Sequence, residues 1–241
     1  MTGLAPIAVA LDVPDLNTAA RWAGLVTPHV STVKIGLELY LRYGPDAVAS
    51  IRGASAVDVF LDLKLHDIPA TVAAAVSAVA RLRPALLTVH ATAGPAAIRA
   101  AAQAAPPGTA IVGVTVVTSL SDADLAQIGM VGPVSDAVRR LAALSVAAGA
   151  RGLVCSPREV AAVRAEVGDD ILLITPGVRP AGAAAHDQAR VATPEEAVAA
   201  GADLLVIGRP ITGAADPGAA AAAIAASLRK AGTAHLKVQS L

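Results

Sequence analysis

Asp62, Lys64 and Asp67 stand within Phe60–Pro69, a stretch that is otherwise apolar apart from His66. On an extended strand, residues two apart point to the same side, so Asp62 and Lys64 share a face. His66 and Pro69 suggest that the strand has given way to a loop where Asp67 follows. Charges at the end of a buried strand are costly unless they are paired. A carboxylate, an ammonium and a second carboxylate can satisfy one another. They then form a fixed electrostatic array of the kind that does chemistry. A strand-end salt bridge that only closes the sheet is the competing reading.

The elements that must position this array recur along the chain. Short β-branched, apolar runs predict strands at Ile7–Asp12, Thr32–Gly36, Val57–Lys64, Leu86–His90, Ala110–Thr118, Gly152–Ser156, Ile171–Gly177 and Asp203–Arg209. Helical segments are expected between them at Asn17–Leu25, Pro45–Arg52, Ala70–Arg81, Pro95–Ala105, Val134–Ala148, Pro157–Val167, Pro194–Ala200 and Gly218–Ala231. Strands alternating with helices predict parallel βα units. Eight units in 241 residues fit an α/β fold of the (β/α)8 TIM-barrel type, spanning residues 1–241 as one domain. A doubly wound open sheet competes, but no G-x-G-x-x-G follows the first strand. The segment Gly177–Gln188 reads as a mobile loop after strand seven, a common place for a substrate lid.

The polar residues gather at one end of these strands. Asp12 ends the first, Lys34 lies on the second, and Asp62 and Lys64 end the third. His90 ends the fourth, Thr118 and Ser119 follow the fifth, and Arg209 ends the eighth. Barrel enzymes build their active sites at the C-terminal ends of the strands, whereas a purely structural chain has no reason for such a gradient.

Composition narrows the classes. Formal net charge is +0, and aromatics are only 2% of residues, which speaks against a nucleic-acid surface. Mean hydropathy is +0.61, but it comes largely from Ala and Val. The longest apolar stretches, such as Ile68–Ala80 and Ala219–Leu228, fall short of the ~20 residues a spanning helix needs. The N-terminus shows no signal-type pattern. A single cysteine, Cys155, excludes an intrachain disulfide. It reads as a small buried hydrophobe. The expectation is a soluble, cytoplasmic protein with no membrane and no nucleic-acid partner. No His-x-x-x-His or Cys-x-x-Cys spacing marks a metal site.

Four motifs in order resemble the orotidine 5'-phosphate decarboxylase family. Leu61–Pro69 is similar to its Asp-x-Lys-x-x-Asp signature, and Val33-Lys34-Ile-Gly36 to its second-strand lysine. Thr175-Pro-Gly-Val-Arg179-Pro with His186-Asp-Gln188 resembles its seventh loop, and Val206-Ile-Gly-Arg209-Pro-Ile its phosphate end. The chain departs from the family at Leu65, where an aromatic is usual, and at Ala70, where Asn is usual. It also has Ala93-Gly94 in place of a Gly-Gly pair. None of these removes a charged group.

The resemblance implies a lyase of UMP biosynthesis that converts orotidine 5'-phosphate to UMP and carbon dioxide without cofactor or metal. It implies Lys34, Asp62, Lys64 and Asp67 as the catalytic array, with Lys64 protonating C6 of the pyrimidine as carbon dioxide leaves. The physical need is a preorganised ammonium where electron density develops. Asp62 would sit near the departing carboxylate. Asp12 would accept from ribose hydroxyls, Thr118 or its neighbour Ser119 would read the pyrimidine, and Arg209 would grip the phosphate beside Gly208. Arg179 and Gln188 would close over the ligand. In the family Asp67 and Thr71 come from a second copy, which implies a homodimer with shared active sites. His66 and His90 read equally well as packing residues.

Two other readings use the same residues. Metal-dependent sugar-phosphate enzymes share Asp-x-Lys-x-x-Asp but carry an acidic ligand where this chain has Lys34, whose charge would repel a divalent ion. A catalytically silent nucleotide-binding barrel would need Arg209 and Asp12 but not two buried lysines beside two aspartates.

Overall fold

The computed structural model describes residues 4–180 and 192–231. The strands are β1 (Ala5–Ala10), β2 (Val30–Ile35), β3 (Asp58–Leu65), β4 (Leu86–His90), β5 (Ala110–Val114), β6 (Gly152–Val154), β7 (Leu172–Thr175) and β8 (Leu204–Ile207). They pair in chain order, all parallel, and β8 closes on β1, which makes the expected (β/α)8 barrel.

Alternation along each strand sorts the side chains into two layers. Ala8, Phe60, Leu86, Ala110, Val112, Leu172, Ile174 and Leu204 fill the barrel. Val9, Val33, Ile35, Val59, Leu61, Leu87 and Val89 face outward to the helices. Phe60 is the chain's only phenylalanine, and it plugs the interior two residues below Asp62 on the same inner face. The inner row therefore turns from apolar to charged as it approaches the strand C-termini.

Proline at the first turn starts five of the helices, Pro45–Ala54, Pro69–Ala80, Pro95–Ala104, Pro194–Ala199 and Pro217–Lys230. There its missing N–H costs nothing and its fixed φ suits the helix. Three helices lie where the sequence reading put none: Leu37–Tyr43, Asp122–Gln127 and Arg209–Thr212. Six strands (β1, β2, β5, β6, β7 and β8) stop one to four residues short of expectation, and two of them matter most here. β5 ends at Val114 because its neighbour β6 ends at Val154, the residue paired with it. The Val154 carbonyl then accepts from the backbone N–H and the hydroxyl of Thr115. β8 ends at Ile207, so Arg209 opens a short helix rather than ending a strand.

Candidate active site

The inner face of β2 carries Lys34 into the mouth of the barrel, where it is buried. Its ammonium lies 3.3 Å from Asp12 Oδ1, just beyond β1, and 3.5 Å from Asp62 Oδ2 on β3. Lys64 Nζ donates to the other Asp62 oxygen at 2.8 Å. Charges thus alternate through the order Asp12, Lys34, Asp62, Lys64. Burial alone raises the Asp62 carboxyl, but the ammoniums of Lys34 and Lys64 and hydrogen bonds from Lys64 and Thr88 outweigh it. The net effect holds Asp62 below the ordinary carboxylate range and keeps it ionised at neutral pH.

Two residues that sequence reasoning passed over shape this array. Thr88, fully buried on β4, donates its hydroxyl to Asp62 Oδ1 at 3.2 Å and accepts from the backbone N–H of Lys64 at 2.8 Å. The available signal was a lone hydroxyl in the inner row of β4, two residues before His90. Gly36 closes the second-strand motif. A Cβ there would meet Asp12 Oδ1 at 2.9 Å and Lys34 Nζ at 3.0 Å, so the pair occupies the space glycine leaves open.

A cavity of about 510 Å³ opens beside the array. That is ample for a mononucleotide-sized ligand. It is lined by Asp12, Lys34, Asp62, Lys64, Thr118, Arg179, Gly208 and Arg209 among others. Thr118 reaches this lining and Ser119 does not. A Cβ on Gly208 would meet only Ala10 Cβ, at an ordinary 3.5 Å. The fold itself therefore does not demand glycine there, and the bare backbone faces the cavity. Arg179 is buried, and its backbone N–H donates to the Ala192 carbonyl, tying the two described ends of the seventh loop. Gln188, His186 and Asp187 lie outside the described residues, as does the rest of the lid expected up to Gln188 beyond Pro180.

Asp67 and Thr71 do not join the array of their own chain. Both are exposed beyond the end of β3, and Asp67 Oδ1 accepts the neighbouring Ile68 N–H at 2.7 Å. Among the described residues Asp67 forms no ion pair. His66 and His90 stack at a tilt, with ring centroids 5.4 Å apart. His90 is held below its ordinary pKa, first by burial and then by the charges of His66 and Lys64. Cys155 lines the cavity, and burial, helped by Glu159, pushes its thiol up to about 12, so it is an inert apolar wall at neutral pH. Among the described residues no group of three His, Cys, Asp or Glu side chains is arranged to hold a metal ion. No helix among them is long and apolar enough to cross a membrane.

A closed (β/α)8 barrel with charged groups converging on a cavity at its strand C-termini is the architecture of a barrel enzyme. The profile of the orotidine 5'-phosphate decarboxylase / HUMPS family matches residues 5–224, and the chain belongs to that family. It is 70% identical over 228 residues to an orotidine 5'-phosphate decarboxylase of Thermobifida fusca, covering 95% of this chain and 97% of the relative. It is 57% identical over 249 aligned positions to the Frankia casuarinae enzyme of the same name, covering 96% and 90%. The crystal structure of orotidine 5'-phosphate decarboxylase from Lactobacillus acidophilus superposes with a TM-score of 0.80 at 36% identity, over 94% of this chain and 98% of that one. The resemblance read from the four motifs is borne out.

Proposed function

We propose that this protein decarboxylates orotidine 5'-phosphate to UMP and carbon dioxide, with Lys64 as proton donor. The observation that carries the reading is the alternation of Asp12, Lys34, Asp62 and Lys64 along the wall of one cavity. Arg209 and Arg179 hold the 5'-phosphate with the Gly208 backbone. Asp12 takes the ribose hydroxyls, Lys34 stands between Asp12 and Asp62 in the charged array, Thr118 reads the pyrimidine, and Arg179 and Gln188 close over the ligand. The substrate carboxylate then lies against Asp62. As the C6–carboxylate bond breaks, its electron pair stays on C6, where the Lys64 ammonium stabilises it and delivers a proton. No cofactor takes part.

The metal-dependent alternative is disfavoured by Lys34. Its ammonium fills the gap between two carboxylates where a divalent ion would have to sit. Loss of orotidine 5'-phosphate absorbance by protein pretreated with EDTA tests both points together. Conversion to UMP supports the reading; activity that returns only with added Mg²⁺ overturns it.

The working unit is a homodimer in which Asp67 and Thr71 complete the site of a second copy. Their exposure beyond the end of β3 supports this, as does the apolar Ile68 between them, 66% exposed. Mixing inactive Lys64→Ala with inactive Asp67→Ala tests it. Random exchange leaves one intact site in each mixed dimer, so about a quarter of wild-type activity returns. No recovery on subunit exchange rejects shared sites. The substrate is a small phosphorylated metabolite, and on that ground the protein is assigned to the cytoplasm, which cell fractionation checks.

A further inference from the structure

We infer that Thr88 is a positioning residue for the proton donor, fixing both the direction in which Lys64 leaves β3 and the orientation of the Asp62 carboxylate. The inference deepens the reading above and rests on it.

The reason lies in the β3–β4 ladder. Leu61 pairs with Leu87 and Leu65 with Val89, so Asp62, Leu63 and Lys64 stand against Thr88 alone. This is a bulge that crowds three residues opposite one, and bulges re-aim side chains next to active sites. Lys64 bears the distortion, with φ at +50°, a region that L residues with side chains rarely occupy. The bulge also breaks the run of ladder bonds at Lys64. The Thr88 hydroxyl accepts the Lys64 N–H at 2.8 Å. A buried N–H without such an acceptor is costly, so the hydroxyl stabilises the strained turn.

The same hydroxyl has one proton to give, and it goes to Asp62 Oδ1 at 3.2 Å. That oxygen also receives the Lys64 ammonium at 2.8 Å. The backbone end and the charged end of Lys64 are therefore both referenced to one carboxylate oxygen, through one side chain. Threonine suits the task because its β-branch restricts χ1 and holds the oxygen in place. Thr88 is not part of the cavity lining, so it acts through Lys64 and Asp62 rather than on the ligand.

The test compares wild type with Thr88→Val, Thr88→Ala and Thr88→Ser. It measures kcat and KM for orotidine 5'-phosphate, UMP affinity by calorimetry, and hydrogen exchange at the Lys64 amide. Without the hydroxyl, in Val and Ala, kcat falls about ten- to hundredfold, as small misplacements of a reacting group do. UMP affinity stays within about threefold, because no ligand contact is lost. Exchange at the Lys64 amide speeds up. Thr88→Ser restores both kcat and protection. If Thr88→Val does not fold, the Ser and Ala pair carries the comparison, since both lack the γ-methyl and differ in the hydroxyl. Equal kcat in Ser and Ala overturns the inference, as does a parallel loss of kcat and UMP binding in Ala. Indifferent variants beside an active wild type sink this inference alone. A wild type that does not turn over sinks the reaction reading, and this inference with it.

Discussion

Replacing Lys64 with alanine removes the one group proposed to meet the electron pair at C6. Its ammonium sits 2.8 Å from Asp62 Oδ1 in a site where the Asp62 side chain is only 13% exposed. At about 3 Å and an effective dielectric of about 20, a unit charge pair interacts by about 5 kcal/mol. Rate arguments give a similar size. Losing one aimed donor costs about 10²–10³ in kcat, and losing a positioned proton donor another 10²–10⁴. A fall of at least about 10⁴ follows, which is about 5 kcal/mol in barrier height. Ground-state binding should change little, because Arg209, Asp12 and Thr118 line other parts of the cavity. The assay is steady-state loss of orotidine 5'-phosphate absorbance beside calorimetric binding of UMP. Retention of more than about a tenth of wild-type kcat removes Lys64 from the chemistry. Equal losses in kcat and in UMP affinity show instead that the array collapsed.

Arg209→Ala should weaken UMP about ten- to hundredfold, the size of one charge-assisted contact, and leave uridine unaffected; equal losses for both ligands in a binding titration move the phosphate site elsewhere. In Gly36→Ala the new Cβ must displace the ends of Asp12 and Lys34. Both ends are flexible, so stability should change by less than about 1 kcal/mol while KM rises about tenfold, and an unchanged KM with a lowered melting temperature reverses that assignment. Asp62 is held below the ordinary aspartate range, so its ionisation stabilises the fold above about pH 4, a contribution lost as pH falls through the lower folded value. Melting curves from about pH 6 to pH 3 should therefore fall more steeply for wild type than for Asp62→Asn; parallel curves contradict the shift.

The barrel was legible because each strand is a short β-branched run followed by an alanine-rich helix, a pattern set locally. Lys34 and Asp62 were legible for the same reason, since strand periodicity puts them on the inner face; Lys64 was legible by its spacing from Asp62, though the bulge sets its direction. Of the small helices only Asp122–Gln127 carries a side-chain cap; Leu37–Tyr43 and Arg209–Thr212 begin at Gly36 and Gly208 with none. Ser121 and Asp124 form a capping box at the start of Asp122–Gln127, a signal present in the sequence. Arg209 was read as ending a strand, although Gly208 caps a helical turn there. Thr88 was out of reach for a deeper reason. Its role depends on how β3 bulges against β4, and no periodicity within either strand encodes a register shift between them. The same bulge explains why Asp67 fails to close on its own array. With Lys64 turned to a positive φ, the chain beyond it leaves the barrel and exposes residues 66–71.

Two ion-pair networks in this barrel show how a structural pair differs from a chemical one. At the N-terminal ends of β7 and β8, Arg164 donates to the carbonyls of Gly168, Ile171 and Gly201 and to Asp203. Asp203 in turn accepts the Leu173 N–H. The guanidinium is consumed by backbone, and little capacity is left for a ligand. At the opposite end, the Lys34 ammonium meets only Asp12 and Asp62, and that of Lys64 only Asp62, among the described residues. An ammonium carries three donors, so both lysines keep hydrogen-bonding capacity, and both line the cavity. A buried ion pair is weak evidence for stability, since an apolar replacement often does as well. A pair with donors left over, set against a cavity, still has hydrogen bonds to offer whatever the cavity takes up.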